Sequence, residues 1–234
     1  MTPMRLRKRT AIAVAILSTA ACNTAGPAGP LSREHQAVER GAATQVRVEI
    51  TMSAGDLTVQ SGATQLFEGD FEFNVPALKP AVEYAVDGTT GVLKVSQGSA
   101  SGNYENNWHL SLDEATPVEL HITLGAGDAK LTLGRLKLQS VAVGLGAGDL
   151  VLDLRGMPAS SYPVSVNAGA GDTTIHLPAT AGISVRTIGL IGDATATGLE
   201  KREDRWINPR AAASAANIDV RVQHAIGDLT LVAD

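Results

Sequence analysis

The stretch TLGAGDAKLTLG (Thr123–Gly134) places the tetrapeptide Gly-Ala-Gly-Asp between two runs in which apolar and polar residues alternate. The same arrangement returns in GLGAGDLVLDLRG (Gly144–Gly156) and in NAGAGDTTIHLPA (Asn167–Ala179). Alternation with a period of two is typical of β-strands that bury one face. Each unit is therefore predicted to contain a strand, a glycine corner and a second strand.

Gly-Asp pairs recur along the chain, and the middle four are nearly evenly spaced. From Asp128 to Asp193 the steps are 21, 23 and 21 residues. A fixed period of this size indicates stacked repeats, because stacking brings equivalent residues into register. We expect an all-β domain that coils as a β-solenoid with one unit of about 21 residues per rung. An antiparallel β-sandwich is the alternative, since Gly-x-Gly-Asp is also compatible with a hairpin turn.

The aspartates of these pairs suggest two uses. Stacked rungs would bring their carboxylates to about 5 Å from one another, where a calcium ion could lie between them. The repeat does not match known calcium-binding repeats, and the five histidines show no metal-ligand spacing. We therefore predict no metal and no cofactor, and assign the pairs as structural corners in which Asp bonds backbone N–H groups and Gly accepts positive φ. The predicted corner residues are Gly55, Asp56, Gly127, Asp128, Gly148, Asp149, Gly171, Asp172, Gly192, Asp193, Gly227 and Asp228.

The N-terminal 21 residues have the pattern of an export signal. Four basic residues precede the short apolar run Ala11–Leu17, and small residues lead to Cys22, the single cysteine of the chain. A cysteine in this position resembles a bacterial lipoprotein signal, in which the thiol is acylated and becomes the new N-terminus. Ordinary cleavage after Ala21 is the alternative. We predict lipid attachment at Cys22 and a signal peptide over residues 1–21.

The segment that follows lacks strand periodicity and is rich in Gly, Pro, Ala and charge. Residues 22–43 are predicted to be a flexible tether, and residues 44–234 to be the solenoid domain. Residues 31–40 and 209–216 could each form a short turn of helix.

Composition and motifs argue against several functions. A net charge of −5 with no basic stripe in the sequence argues against nucleic-acid binding. Neither the Gly-x-Ser-x-Gly turn of serine hydrolases nor a phosphate-binding Gly-x-x-x-x-Gly-Lys-Ser/Thr loop occurs. We predict that the protein is not an enzyme and has no catalytic residues.

Two tryptophans lie where the 21-residue rhythm breaks. Trp108 belongs to GNYENNWHLSL and Trp206 to KREDRWINP. Loops that project from a rigid scaffold commonly carry binding residues, so both are candidate binding loops for a glycan or peptide. Alternatively, each tryptophan covers an open flank or end of the solenoid core.

Several segments of the chain resemble the toast-rack domain. They are Asn106–Leu112, Val118–Leu154, Asn167–Val185 and, near the C-terminus, GLEKREDRWINP and IDVRVQHAIGDLTLV. This domain occurs in exported and membrane-associated bacterial proteins and is related to the extracytoplasmic domain of LiaF-type envelope-stress proteins. The resemblance covers about residues 45–234. It implies a right-handed β-solenoid and an envelope location, and it supplies no catalytic residues.

Together these features predict a non-catalytic envelope lipoprotein whose rigid solenoid acts as a binding, scaffolding or stress-related surface. The expected partners are membrane lipid, through the N-terminal anchor, and an envelope protein or glycan. Asn23 follows the cysteine, which is compatible with an outer-membrane destination. The alternative is an enzyme or glycan-binding protein that acts on cell-envelope polysaccharide.

Overall fold

The structure is a computed structural model that describes residues 29–100, 102–208 and 215–234. The described part of the chain is built almost entirely of β-strands, with one short 3-10 helix at Pro76–Leu78. The strands are β1 Ser32–Val38, β2 Gln45–Ala54, β3 Asp56–Ser61, β4 Phe67–Phe73, β5 Ala81–Asp87, β6 Thr90–Ser96, β7 Asn106–Leu112, β8 Pro117–Ala126, β9 Ala129–Thr132, β10 Lys137–Ala147, β11 Leu150–Asp153, β12 Tyr162–Ala170, β13 Thr173–Leu177, β14 Gly182–Ile188, β15 Ala194–Thr197, β16 Glu200–Arg202, β17 Arg205–Ile207, β18 Asn217–Ile226 and β19 Leu229–Ala233.

These strands form two sheets. Sheet A has the order β1-β4-β7-β3-β9-β11-β13-β19-β15, and sheet B has the order β16-β17-β14-β18-β12-β10-β8-β2-β6-β5. A strand of sheet B runs to a corner and continues as a strand of sheet A, so that the two strands form one rung. Neighbouring rungs pair in parallel along both sheets. The prediction of an all-β solenoid is confirmed.

The core consists of columns of aliphatic side chains that share a register. In sheet B one column places Val48, Leu120, Val141, Val164 and Val220 on successive strands, and all five are buried. A corresponding column in sheet A packs on the same hydrophobic core, with members Val59, Leu131, Leu152, Ile175 and Leu231. Because every rung contributes similar side chains at the same height, the thin core is filled with few aromatic residues.

The rungs do not stack in chain order. The C-terminal rung β18–β19 lies between the β12–β13 rung and the β14–β15 rung, with parallel pairing on both sides. Near the N-terminal end, the β2–β3 rung likewise lies between β6–β7 and β8–β9. The first and last rungs of the sequence are therefore held inside the stack, where each strand has two neighbours.

Antiparallel strands extend both sheets at one end of the stack and sheet B at the other. At one end β4 pairs antiparallel with β7, β1 pairs with β4, and β5 pairs with β6. At the other end β17 pairs antiparallel with β14, and β16 pairs with β17. These added strands protect ends of the parallel stack that would otherwise expose a full row of unpaired backbone groups.

The predicted tether is wrong over Ser32–Val38, and so is the short helix predicted for residues 31–40. This segment is strand β1, which lies at the edge of sheet A and pairs with β4. Ion pairs help to hold it, with Arg33 at 2.6 Å from Glu72 and Glu34 at 2.7 Å from Lys79. Its residues are exposed or only partly buried. It carries no apolar alternation because only Val38, at its end, packs against the core, and alternation is the signal by which a strand is recognised. The helix predicted at 209–216 falls mostly outside the described residues.

Candidate functional site

The aspartates of the six Gly-Asp corners form one continuous line along the edge where the sheets meet. From Asp128 onward in the stack, the backbone N–H of each aspartate donates to Oδ1 of the aspartate in the preceding rung. In stack order the donor–acceptor distances are 3.4 Å for Asp128 to Asp56, 2.9 Å for Asp149 to Asp128, 2.8 Å for Asp172 to Asp149, 2.9 Å for Asp228 to Asp172 and 3.0 Å for Asp193 to Asp228. We refer to this line as the aspartate ladder.

The glycine beside each aspartate is required by two local features. All six corner glycines have positive φ, between 116° and 149°, a region that other residues rarely adopt. From Gly127 onward, a Cβ at the corner glycine would also clash with a corner carbonyl oxygen of the adjacent rung; at Gly148 this is the carbonyl oxygen of Gly127. The tetrapeptide therefore sets the close approach of successive rungs.

A buried asparagine continues these contacts at the β7 end of the ladder. Asn106 is 2% exposed, and its Nδ2 donates to the carbonyl oxygen of Ala54 at 2.6 Å and to Oε1 of Gln97 at 2.8 Å. Its Oδ1 accepts from Nε1 of Trp108 at 3.1 Å. One side chain thus satisfies the corner backbone and the indole together. The local sequence gives no signal for this role.

The geometry of the ladder differs from that of a cation site. Five of the six carboxylates accept a backbone N–H, while the side chains themselves stay exposed. Calcium sites instead gather six to eight oxygen ligands around one point. Among the described residues, no cluster of three or more His, Cys, Asp or Glu side chains could hold a metal ion.

The structure places Trp108 in strand β7 and buries it completely. Its ring meets Phe71 edge to face, with centroids 5.3 Å apart. All three phenylalanines of the chain, Phe67, Phe71 and Phe73, lie on the neighbouring strand β4 and are also buried. A binding loop at Trp108 is therefore wrong, because this tryptophan fills the core at one end of the stack, where regular rungs stop.

Trp206 lies in strand β17, at the opposite end of the stack. It is half-buried and packs against the core, and the Lys201 ammonium lies 5.4 Å from the ring centroid. The tryptophan side chain thus points inward. Its chain neighbours Arg205 and Ile207 lie on the opposite, outer face of the sheet, because successive side chains of a strand alternate between the two faces. Its role as a binding residue stays a prediction.

Cys22, the predicted lipid-attachment residue, lies outside the described residues. In the described ranges no helix has the length and apolar character needed to cross a membrane.

Two carboxylates, a guanidinium and an imidazole meet near the chain end on sheet A. Arg155 binds Asp153 at 2.7 Å and Asp234 at 3.2 Å, and His176 is the register partner of Asp153. The hydrogen bonds and charge of Arg155 hold the pKa of Asp153 below its usual range, so this carboxyl group stays ionised and is poorly suited to act as a general acid. The arrangement is that of a structural ion-pair cluster.

A feature that the sequence analysis missed lies on the outer face of sheet B. Four arginines occupy the same register position on four adjacent strands of this face. They are Arg221 on β18, Arg186 on β14, Arg205 on β17 and Arg202 on β16. We call this set the arginine row. Residues directly opposite on neighbouring strands point to the same side of the sheet. The conclusion that the protein lacks a basic stripe is therefore wrong at this end of the molecule.

The comparisons with known proteins identify the family. Residues 27–176 match the family described as the N-terminal domain of toast_rack, DUF2154, and the chain belongs to this family. No curated protein matches the chain in sequence.

Among solved structures, a crystal structure described as a "putative cell adhesion protein" from Clostridium sporogenes matches with a TM-score of 0.81 at 24% identity, over 87% of this chain and 100% of that one. A "putative adhesin" from Bacteroides fragilis matches with a TM-score of 0.31 at 13% identity, over 88% and 98% of the two chains. The first of these structures shows the same fold.

Proposed function

We propose that this protein is an exported lipoprotein of the cell envelope whose β-solenoid presents a non-catalytic binding surface. The observation that carries the proposal is the position of Cys22, which directly follows the export-type segment of residues 1–21 and precedes β1 by ten residues. A diacylated or triacylated cysteine at that point would hold the domain close to a membrane.

The construction of the domain supports a display role. Among the described residues, nearly every buried hydrophobic side chain belongs to one continuous core, and the rungs pair in parallel along both sheets. Such a stack is stiff and holds side chains on its outer faces at fixed spacing. The toast-rack family and the fold shared with the clostridial protein, which is described as a "putative cell adhesion protein", fit a surface or binding role without catalysis.

Labelling with radioactive palmitate tests the anchor. The wild-type protein, expressed in a bacterial host, should incorporate label and sediment with membranes, whereas Cys22→Ser should incorporate none and appear in the soluble exported fraction. Asn23→Ser is the matched control, because it changes the neighbouring residue and keeps the thiol. Equal labelling of the wild type and Cys22→Ser, or no labelling of either, would overturn the proposal of a lipoprotein.

A further inference from the structure

The arginine row is an unusual arrangement for a sheet surface. Like charges directly opposite on adjacent strands are destabilising, and here four guanidinium groups follow one another across three strand pairs. The row draws on two distant parts of the chain, residues 186–205 and residue 221. The insertion of β18 beside β14 completes it.

Neighbouring acids compensate the row incompletely. Asp204 lies 3.0 Å from Nε of Arg186 and 3.9 Å from Nε of Arg205, and Glu200 lies 3.2 Å from Arg202. These carboxylates and arginines are between 37% and 64% exposed, so each pair contributes little. Arg221 makes no ion pair or side-chain hydrogen bond within the residues that the structure describes.

One donor of the row is both buried and unsatisfied. Nε of Arg186 has no hydrogen-bond partner among the described residues, because the nearby Asp204 oxygen lacks hydrogen-bond geometry. Buried donors are normally paired. This Nε is enclosed beside Asp204, so the groups available to an added anion are the unpaired Arg221 and the exposed guanidinium donors of the other arginines.

The hairpin that carries two of the arginines is held in a strained turn. Arg202 and Arg205 are paired across the turn Glu203-Asp204, and Glu203 has φ of 54°. Among the described residues it is the single non-glycine residue with positive φ. Such turns favour Asn-Gly or Asp-Gly, and backbone strain of this kind often accompanies a functional site.

We propose that the arginine row binds a linear polysaccharide that carries carboxylate groups. Planar guanidinium groups bind carboxylates with paired hydrogen bonds, and strands spaced about 4.8 Å apart repeat that donor along a line. A shallow cavity of about 300 Å³ adjoins Arg205, and Ser184, Asn217 and Asp219 line it with groups able to bond sugar hydroxyls. This proposal deepens the binding role proposed above and rests on an extracytoplasmic location for the domain.

Charge and shape favour a polymer over an anionic membrane. Farther along the same face of sheet B, the same register position is occupied by Glu49 and Glu83, with Lys94 between them. A flat anionic surface against this face would meet those carboxylates, whereas a single polymer strand could follow the row alone. Single-stranded nucleic acid usually requires exposed aromatic residues for stacking, and Trp206 packs against the core instead.

The row also lies far from the anchored end. Strand β1 and the β14–β15 rung are separated by eight strand spacings in the order of sheet A, which corresponds to about 40 Å. In an upright molecule held at Cys22, the row would face away from the membrane to which the lipid is attached. This position suits a ligand of the envelope space.

Binding of the purified full-length protein in detergent to polygalacturonate, a linear polymer with one carboxylate per sugar ring, tests the proposal. Wild-type protein should bind at low ionic strength, should not bind neutral dextran, and should lose binding as salt screens the charges. The double variant Arg205→Gln with Arg221→Gln should bind about tenfold to a hundredfold more weakly, as expected for loss of charged hydrogen bonds.

The matched control is Arg47→Gln with Lys94→Gln. It makes the same change in charge on the same face of sheet B, near the opposite end, and should keep affinity within about twofold of the wild type, which is within the ordinary scatter of such effects. Circular dichroism and thermal melting of both double variants establish that they are folded. This readout does not depend on acylation, so failure of the palmitate experiment would leave it interpretable.

Four results would overturn the proposal. The first is that the wild type does not bind polygalacturonate, and the second is that the arginine-row variant binds as well as the wild type. The third is that the control variant loses as much affinity as the arginine-row variant. The fourth is that the row binds vesicles of anionic phospholipid or single-stranded DNA more strongly than polygalacturonate. The last result would assign the row to a membrane or a nucleic acid instead.

Discussion

At the scale of single residues, the corner glycines from Gly127 onward combine a positive φ with too little space for a side chain. Gly148 has φ of 124°, and a Cβ at this position would clash with the carbonyl oxygen of Gly127. In the preceding strand β10, Gly144 has only the Ile122 carbonyl oxygen near its own Cβ position, at 3.8 Å. The two glycines differ in what surrounds them, although both lie in the same repeat.

We therefore predict that Gly148→Ala lowers the free energy of unfolding by about 2 kcal/mol or more, because backbone strain and a steric conflict with fixed backbone add. Gly144→Ala should change it by less than about 1 kcal/mol. Urea unfolding followed by circular dichroism measures both. Equal effects of the two substitutions would show that the corner geometry is not the cause.

The aspartate ladder leads to a different expectation for its carboxylates. Oδ1 of Asp149 accepts the N–H of Asp172 at 2.8 Å, and an amide oxygen can accept the same bond. Asp149→Asn should therefore melt at or above the wild-type temperature, since it keeps the acceptor and removes one charge from a row of like charges. Asp149→Ala removes the acceptor and should lower the free energy of unfolding by about 1 kcal/mol.

Thermal melting with calcium and with a chelator completes this comparison. If the ladder is held by hydrogen bonds alone, the melting temperature should be nearly the same with calcium and with chelator. This should hold for the wild type and for Asp149→Asn. A calcium-induced rise of many degrees that Asp149→Asn abolishes would instead identify the ladder as a cation site.

At the scale of elements, the strands differ in how clearly the sequence announces them. The rungs with Gly-Asp corners could be predicted because one face of each strand is apolar and enters the core. Strand β1 could not, because it lies at an edge and both of its faces are polar or partly exposed. Asn106 was missed for a similar reason, since its contacts with Ala54 and Trp108 depend on neighbouring strands that are not adjacent in sequence.

The two tryptophans show the difference between a rhythm break and a loop. The sequence places both where the repeat changes, and the structure places both in strands near the ends of the stack. Aromatic side chains are used there because the end rungs have no regular neighbour to fill the core. A break in periodicity therefore marked the ends of the core correctly, although it did not mark a projecting loop at Trp108.

We predict that Trp108→Ala lowers the free energy of unfolding by about 3 to 5 kcal/mol, as usual for a fully buried aromatic side chain. Replacement of the half-buried Trp206 by Ala should lower the free energy of unfolding by clearly less, about 1 to 2 kcal/mol. Chemical denaturation of the two variants under one set of conditions checks this. A larger loss at Trp206 than at Trp108 would contradict the assignment of Trp108 to the core.

At the scale of the whole molecule, the order of the rungs is the property that local patterns least reveal. The rung β18–β19 has the same alternation and the same Gly-Asp corner as its neighbours, so its sequence fits any position in the stack. Its insertion beside β14 brings Arg221 opposite Arg186. The arginine row could therefore not be predicted from the sequence, although each of its members is visible there.

The position of β19 between β13 and β15 defines the rung order of the molecule. Three threonines at one register position, Thr174, Thr230 and Thr195, report on it directly. Thr230 is the neighbour of both others, and its Oγ1 lies 3.4 Å from Oγ1 of Thr195. Thr174 and Thr195 are two strands apart, which corresponds to about 9.5 Å and exceeds the reach of a disulfide.

Cysteine cross-linking in a Cys22→Ser background therefore tests this rung order most directly, since Cys22 is the single native thiol. Thr174→Cys with Thr230→Cys, and Thr195→Cys with Thr230→Cys, should each form an intramolecular disulfide under mild oxidation, measured by mass spectrometry of proteolytic fragments. Thr174→Cys with Thr195→Cys should remain reduced. A disulfide in this third pair, without one in the first, would show that the rungs follow chain order and would contradict the structure described above.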